Sequence, residues 1–347
     1  MKKNVIAIVL VMGLTALSCS KMDTGNNGLK NSVENGVTSI SNAVNKISGT
    51  AGYQLLTMND ASAKSDYTYN DSINLNAVSG VYDFQPDTIM RMHHFSPYKM
   101  FKKTAESDNM IISLPEAIVL HPKHLHYYQP MDTVYPNNFT ITATDYHFYY
   151  NMWRNYEYKL TAGLTLNDEN AGKMDVSSSS GSFRSYAYAS GFDFPDGYNI
   201  SAMWQYGDTA TSSFSLSKDN ETLFKESSIF ITQDFHRREK QYELTIGDVQ
   251  IKKSDVDSIQ VFVAGVLQQH AAKIITSESD TAASVCHKRD ILLTYDDGTT
   301  AKLSELISPV KSQLGLLSDS LRSMYFARHI VDYIAFSIYY DTHQYYY

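Results

Sequence analysis

Cysteine, positive charge and long apolar runs are scarce in this sequence of 347 residues. Its two cysteines are Cys19 and Cys286, so the fold must depend on its hydrophobic core. Lysine and arginine total 29 against 37 acidic residues, and the net charge of −8 argues against nucleic acid as a partner. After residue 17, no apolar run is long enough to cross a bilayer.

The sequence also lacks the short motifs that mark common active sites. It contains no G-x-S-x-G nucleophile elbow, no phosphate-binding loop and no paired C-x-x-C zinc pattern. Residues 96–99 (SPYK) and 107–109 (SDN) match two motifs of penicillin-recognising serine enzymes. Those motifs are almost adjacent here and no K-T-G follows, so a chance match is the better explanation. We therefore expect a non-enzymatic protein without a cofactor.

The first residues have the composition of an export signal. Lys2 and Lys3 give a positive start, and residues 5–17 form an apolar run of signal-peptide length. The small residue Ser18 then precedes Cys19. This arrangement resembles the signal of bacterial lipoproteins. The run S-C-S-K is similar to that of outer-membrane or surface lipoproteins of Bacteroidota-type bacteria.

The resemblance implies a processed protein that a lipid attaches to a membrane. Residues 1–18 would be a signal peptide that is removed, and Cys19 would be lipidated and become the new N-terminus. Ser20 directly after the cysteine favours the outer membrane or cell surface as the location. With Cys19 lipidated, Cys286 has no cysteine left to pair with.

A short helix is predicted behind a polar tether. Residues 20–28 are small and polar, which is typical of a flexible linker. From Val33 to Ile47 apolar residues recur at helical spacing, and Gly49 is a suitable C-cap. The repeat is too short for a coiled coil, so we expect this helix to pack on the protein's own body and not on a partner helix. Residues 19–52 are assigned to the lipidated cysteine, the tether and this helix.

From about residue 70 the apolar pattern changes to alternation, which predicts β-strands. Short turns between the strands favour antiparallel neighbours. The segment 258–266 is apolar on both faces, so we expect it to be a central strand covered on both sides. The predicted strands are 73–84, 110–120, 139–150, 156–166, 182–190, 198–206, 211–217, 223–232, 242–252, 258–266 and 290–295.

A C-terminal helix is predicted at about 308–338. Ser308 and Pro309 suit its N-terminus, and apolar residues from Leu314 to Ile338 recur at helical spacing. Residues 53–347 are therefore predicted to form a single β-rich domain that includes this helix. The predicted fold class is mainly β (a β-rich α+β fold), with an antiparallel sheet, sandwich or half-barrel and the C-terminal helix packed on it.

Histidines form the clearest polar cluster in the sequence. His121, His124 and His126 are close together, and the last two would share one face of a strand. Imidazoles on one face can begin a zinc or copper site, with Glu116 or Asp132 as a further ligand. No H-E-x-x-H spacing supports a metal, so a wet surface cluster that binds nothing is the alternative.

Aromatic residues are the remaining sign of a ligand site. Tyrosine occurs 26 times, and its ring can pack while its hydroxyl stays hydrated. Tyr149 and Trp153 belong to a predicted hairpin, and Tyr186 and Tyr188 to a neighbouring strand. These four residues are the predicted platform for a ligand. The alternative is that tyrosine simply suits a strand.

The preferred function is therefore that of a lipid-anchored cell-envelope protein with a binding or structural role. Its partners would be the membrane, through the N-terminal lipid, and a glycan, peptide or lipid ligand. One alternative is a carrier of a lipid or another apolar ligand, held in a cavity between sheet and helix. A second alternative is a glycan-active enzyme with paired carboxylates.

Overall fold

The structure is a computed structural model in which one long β-sheet carries helices on one face. It describes residues 28–57, 71–85, 100–116, 136–151, 155–181, 185–233, 236–254, 258–277, 288–323 and 325–342.

Strands make up most of the described chain. The main sheet has 15 strands, and a smaller sheet has three. The strands of the main sheet are β1 (Asp71–Asn74), β2 (Gly80–Phe84), β3 (Phe101–Ala105), β4 (Met110–Leu114), β5 (Phe139–Tyr150), β6 (Tyr156–Leu166), β7 (Glu169–Ser180), β8 (Tyr186–Asp193), β9 (Tyr198–Tyr206), β10 (Thr209–Lys218), β11 (Glu221–Gln233), β12 (His236–Ile246), β13 (Val249–Ser254), β14 (Ile259–Val263) and β15 (Val266–Gln268). The smaller sheet contains β16 (Ala272–Ser277), β17 (Lys288–Thr294) and β18 (Thr300–Lys302).

The main sheet is largely a meander. From β5 to β15 each strand pairs antiparallel with the next one along the chain. At the other end β4 pairs antiparallel with β5 and in parallel with β2, while β1 adds to β5. Two hairpins turn at polar residue pairs with positive φ, Asn167–Asp168 and Asp219–Asn220, a backbone conformation that asparagine and aspartate tolerate well. The predicted β-rich class with an antiparallel sheet is confirmed.

The helices pack together with the sheet in one hydrophobic core. The predicted C-terminal helix is confirmed and consists of two successive segments, Ser308–Ser323 and Tyr325–Thr342. Among the described residues, none of the helices has both the length and the apolar character that crossing a membrane requires. The helices are α1 (Leu29–Ser48), α2 (Ala51–Thr57), α3 (Leu75–Val78), α4 (Leu303–Leu306), α5 (Ser308–Ser323) and α6 (Tyr325–Thr342).

Helix α1 lies across strands β11, β12 and β13 and also contacts α5. In its apolar seam Val33, Ile40, Val44 and Ile47 are buried, and Val37 is partly buried. Gly49 ends the helix, and its backbone N–H donates to carbonyls of the last turn. The helix therefore packs on the protein's own body, as the spacing of its apolar residues predicts.

The alternation along each strand gives the main sheet one buried face. In β6, for example, Leu160, Ala162 and Leu164 are buried, whereas Lys159 between two buried residues is exposed. Because side chains alternate strictly along a strand, the second face of the sheet receives the polar and small residues. The core thus lies between the helices and one face of the sheet.

The segment 258–266 is not the central strand that its apolar composition predicts. It forms β14, a tight turn and the start of β15, which ends the strand order of the main sheet. Val266 is 64% exposed and Leu267 is 46% exposed. The prediction was wrong because Ala264 and Gly265 both adopt positive φ and reverse the chain, although neither is a polar turn residue.

Several other strands also differ from the sequence pattern. The predicted strand 242–252 spans two strands, since Gly247 at φ 54° allows a turn between β12 and β13. The predicted strand 73–84 is interrupted by α3, which Asn74 caps through a hydrogen bond from the Ala77 N–H. Strand β7 was not predicted because its serine-rich half has few of the branched and aromatic residues that favour strands.

Candidate functional site

The candidate site is an aromatic patch on the helix-covered face of the sheet. We use this name for Tyr156, Tyr186, Tyr188, Trp204 and Tyr206. Tyr188 lies directly opposite Trp204, and Tyr186 directly opposite Tyr206, on the paired strands β8 and β9. Residues that are paired directly across two strands project from the same face.

Serines on β7 separate the aromatic residues of β6 from those of β8. Ser180 is paired with both Tyr156 and Tyr186, so the three side chains form one row across the sheet. The neighbouring row contains Tyr158, Ser178 and Tyr188. The Ser178 hydroxyl donates to the Tyr156 hydroxyl at 3.4 Å, so the two rows are connected across β7. Sheet pairing therefore determines which aromatic residues meet.

The patch changes from buried to exposed along the strands. Tyr188 is buried and its ring centroid lies 5.5 Å from that of the half-buried Trp204. The next pair on the same face is Tyr186 and Tyr206, two residues away on each strand. Tyr186 is 43% exposed and Tyr206 is 38% exposed. Two exposed rings thus continue the line of a packed pair.

Arg328 of α6 forms the polar centre beside the patch. Its guanidinium carbon lies 4.0 Å from the centroid of the Tyr158 ring, a cation–π arrangement. Its Nη2 donates to the Tyr156 hydroxyl at 2.7 Å, and its Nε donates to Asp332 Oδ2 at 3.3 Å. The other carboxylate oxygen, Oδ1, accepts from the Tyr146 hydroxyl at 3.2 Å. Arg328 and Asp332 together therefore join helix α6 to strands β5 and β6.

Burial governs the acid–base properties of this cluster. Desolvation raises the pKa of Asp332, while the charge of Arg328 and the hydroxyls of Tyr158 and Tyr146 act in the opposite direction. The Tyr158 hydroxyl is buried without a hydrogen bond of normal geometry among the described residues, and its pKa lies well above 10. Desolvation also raises the pKa of Tyr156. These tyrosines are therefore neutral at physiological pH.

Two further side chains join the sheet to the end of α5. The Tyr188 hydroxyl donates to the Leu321 carbonyl oxygen at 2.8 Å, and the Ser190 hydroxyl donates to the same oxygen at 3.0 Å. Carbonyls in the last turn of a helix lack a partner within that helix, so outside donors are favourable there. These bonds hold the last turn of α5 above the patch.

Of the residues predicted to bind a ligand, the structure brings Tyr186 and Tyr188 together. Tyr149 lies on the opposite face, because its neighbour Tyr150 belongs to the row that contains Tyr156. There the Tyr149 hydroxyl accepts from the Asn151 side-chain amide at 2.9 Å. The other predicted site residues lie outside the described residues, namely Trp153, Cys19, His121, His124 and His126.

The sequence argument did not assign Arg328 and Asp332 to the site. The available signal was two opposite charges four residues apart in an otherwise apolar helix. Such a pair often lies on the solvent side of a helix. Only the packing of α6 against β5 and β6 shows that this pair is directed toward tyrosines.

Within the described part of the chain, no three His, Cys, Asp or Glu side chains come close enough to hold a metal ion. The patch and its polar centre contain aromatic ring faces, neutral hydroxyl groups and the guanidinium of Arg328, which is already bonded to Asp332 and Tyr156. This arrangement suits binding by stacking and hydrogen bonding. When the chain is compared with protein-family models, curated proteins and solved structures, no match is found in any of the three.

Proposed function

We propose that this protein is a cell-envelope lipoprotein, anchored in the outer membrane through Cys19, that binds a ligand at the aromatic patch. Support for the anchor comes from the basic start, the apolar run of residues 5–17 and the small residue before Cys19. Support for binding comes from the exposed edge of the patch.

The pair of exposed rings, Tyr186 and Tyr206, carries the binding proposal. Large aromatic side chains that lie side by side in water usually mark a place where another molecule packs. Strand pairing holds the backbone of both residues before any ligand arrives, and the packed pair of Tyr188 and Trp204 lies behind them. Such preorganisation lowers the entropy cost of binding.

The polar groups around the patch favour an uncharged ligand. Arg328 already donates hydrogen bonds to Asp332 and Tyr156. Burial raises the pKa of Tyr186 and Tyr188, so both hydroxyls stay neutral. Neutral hydroxyls beside ring faces are suited to a sugar, whose own hydroxyls and apolar faces they complement. A glycan is therefore the ligand class that we propose.

Binding is tested by titrating soluble oligosaccharides against the protein in an isothermal titration calorimeter. Tyr186→Ala should weaken binding about 2- to 12-fold, since an aromatic stacking contact contributes ~0.5–1.5 kcal/mol beyond area burial. Tyr149→Ala is the matched control, because this tyrosine lies on the opposite face. Equal effects of the two substitutions would contradict the assignment of the site.

The anchor is tested separately by membrane fractionation and labelling with an acyl precursor. Cys19→Ala should abolish the label and release the protein from membranes or block its processing. An unlabelled wild-type protein whose fractionation is unchanged by Cys19→Ala would disprove the anchor.

A further inference from the structure

The hairpin of β14 and β15 has an apolar tip that is open to solvent. Val266 is 64% exposed, Leu267 is 46% exposed, and the turn residues Ala264 and Gly265 are also exposed. The chain carries no charged residue from 258 to 269. In a protein with a net charge of −8, the tip of this hairpin is an exposed apolar surface without charged residues of its own.

The turn itself uses an apolar residue where a polar one fits better. Ala264 has φ 47° and Gly265 has φ 80°, the conformation of a two-residue hairpin turn. Asparagine and aspartate adopt positive φ more readily than alanine does, and the hairpin turns at 167–168 and 219–220 use them. The β14–β15 turn therefore accepts backbone strain and keeps an apolar surface.

The hairpin lies near the end of the chain that would carry the lipid. The Ala264 N–H donates to the Asp248 carbonyl at 2.9 Å. At the adjacent Gly247, an added Cβ would lie 3.3 Å from the Gly36 Cα of α1. From Gly36 the helix runs back to Gly28 over ~12 Å at about 1.5 Å per residue.

The segment between Gly28 and Cys19 is long enough to reach a membrane beside the hairpin. Cys19 lies nine residues before Gly28, so an extended segment between them spans at most ~32 Å at about 3.3–3.6 Å per residue. A lipid on Cys19 would therefore allow this end of the molecule, with the apolar hairpin, to reach the bilayer surface.

We propose that the tip of the β14–β15 hairpin inserts into the lipid surface to which the N-terminal lipid anchors the protein. This inference rests on the proposed lipidation of Cys19. The occupant of the apolar surface is the membrane interface, where Val266 and Leu267 leave water. Because the tip is uncharged, zwitterionic lipid suffices and anionic headgroups are not required.

The test uses the full-length lipidated protein, carrying Cys286→Ser, in phosphatidylcholine vesicles. An environment-sensitive fluorophore is attached at Leu267→Cys, or at Leu316→Cys as the matched control. Leu316 is 45% exposed and lies on α5, which packs over β8 and β9 and thus several strands from the hairpin. Flotation of the vesicles reports the anchor independently of the fluorophore.

The fluorophore at position 267 should shift its emission to shorter wavelength in vesicles and be quenched by lipid-borne quenchers, whereas that at position 316 should show neither effect. Flotation without a shift at 267 overturns the hairpin proposal and leaves the anchor intact. An emission shift that depends on protein concentration and not on the presence of lipid identifies a second copy of the chain as the occupant. This result also overturns the hairpin proposal. Absence of flotation overturns the anchor, and the hairpin proposal with it.

Discussion

Gly36→Ala is expected to destabilise the protein, although alanine is the better helix former. Gly36 lies where α1 crosses β12, and a Cβ at this position would lie 2.7 Å from Ile246 Cγ2 and 2.8 Å from the Ile246 carbonyl oxygen. The side-chain methyl can rotate away. The carbonyl belongs to a strand that is paired on both sides, so it cannot move without moving the sheet.

The magnitude follows from two opposing effects. Alanine in place of glycine inside a helix contributes about 0.8–1.0 kcal/mol, whereas overpacking of a close contact costs ~1–3 kcal/mol. The matched control is Gly315→Ala in α5, where an added Cβ meets no atom within 4 Å and only the gain applies. The free energies of unfolding of the two variants should therefore differ by about 1–3 kcal/mol, with Gly36→Ala the less stable.

Urea unfolding followed by circular dichroism measures this difference. Both variants should keep the wild-type m value, since the surface exposed on unfolding does not change. If Gly36→Ala is as stable as Gly315→Ala, then α1 does not pack against β12 at this glycine, and the proximity of the hairpin to the N-terminal tether loses its support as well.

Arg328→Met leaves Asp332 buried without its cation and should cost about 3–5 kcal/mol at neutral pH. Because the pKa of Asp332 is raised on folding, the contribution of this group to stability is greatest below the unfolded-state value near 3.8 and is lost as pH rises through the folded-state pKa. Urea unfolding as a function of pH should show a larger fall in Arg328→Met, which adding Asp332→Asn should flatten. A pH profile unchanged from wild type would exclude this ion pair. Tyr188→Phe and Ser190→Ala should each cost ~1 kcal/mol and the double variant more than their sum, because both donate to Leu321. Strict additivity would contradict a shared acceptor.

The helix-to-sheet contacts around the patch show how binding and stability are connected. Arg328 and Asp332 hold α6 on the sheet, while Tyr188 and Ser190 hold the end of α5. Tyr188 also packs against Trp204 of the patch. Substitutions at Tyr188 are therefore expected to affect folding, whereas the exposed Tyr186 is the better probe of binding.

By itself, the sequence determined the local elements of this protein. Helix α1 and strands such as β6 and β9 follow from periodicities of 3.6 and 2, because a repeating apolar face reports which side of an element is buried. It also determined the β-rich class, since short turns between alternating segments favour antiparallel neighbours. The turn at Ala264 and Gly265 was not predicted, because alanine rarely adopts positive φ and a single glycine can also lie within a strand.

Only the tertiary structure decided which residues form the patch. Tyr149 and Tyr186 are both strand tyrosines. Tyr150 lies in the row across the sheet that contains Tyr186, and Tyr149, one residue earlier in its strand, therefore projects from the opposite face. Arg328 donates a hydrogen bond to Tyr156 although 172 residues separate them in the chain, and no local sequence pattern indicates this contact. Register and helix docking depend on the packing of the whole core, and for this reason the composition of the site follows from the fold and not from any single segment.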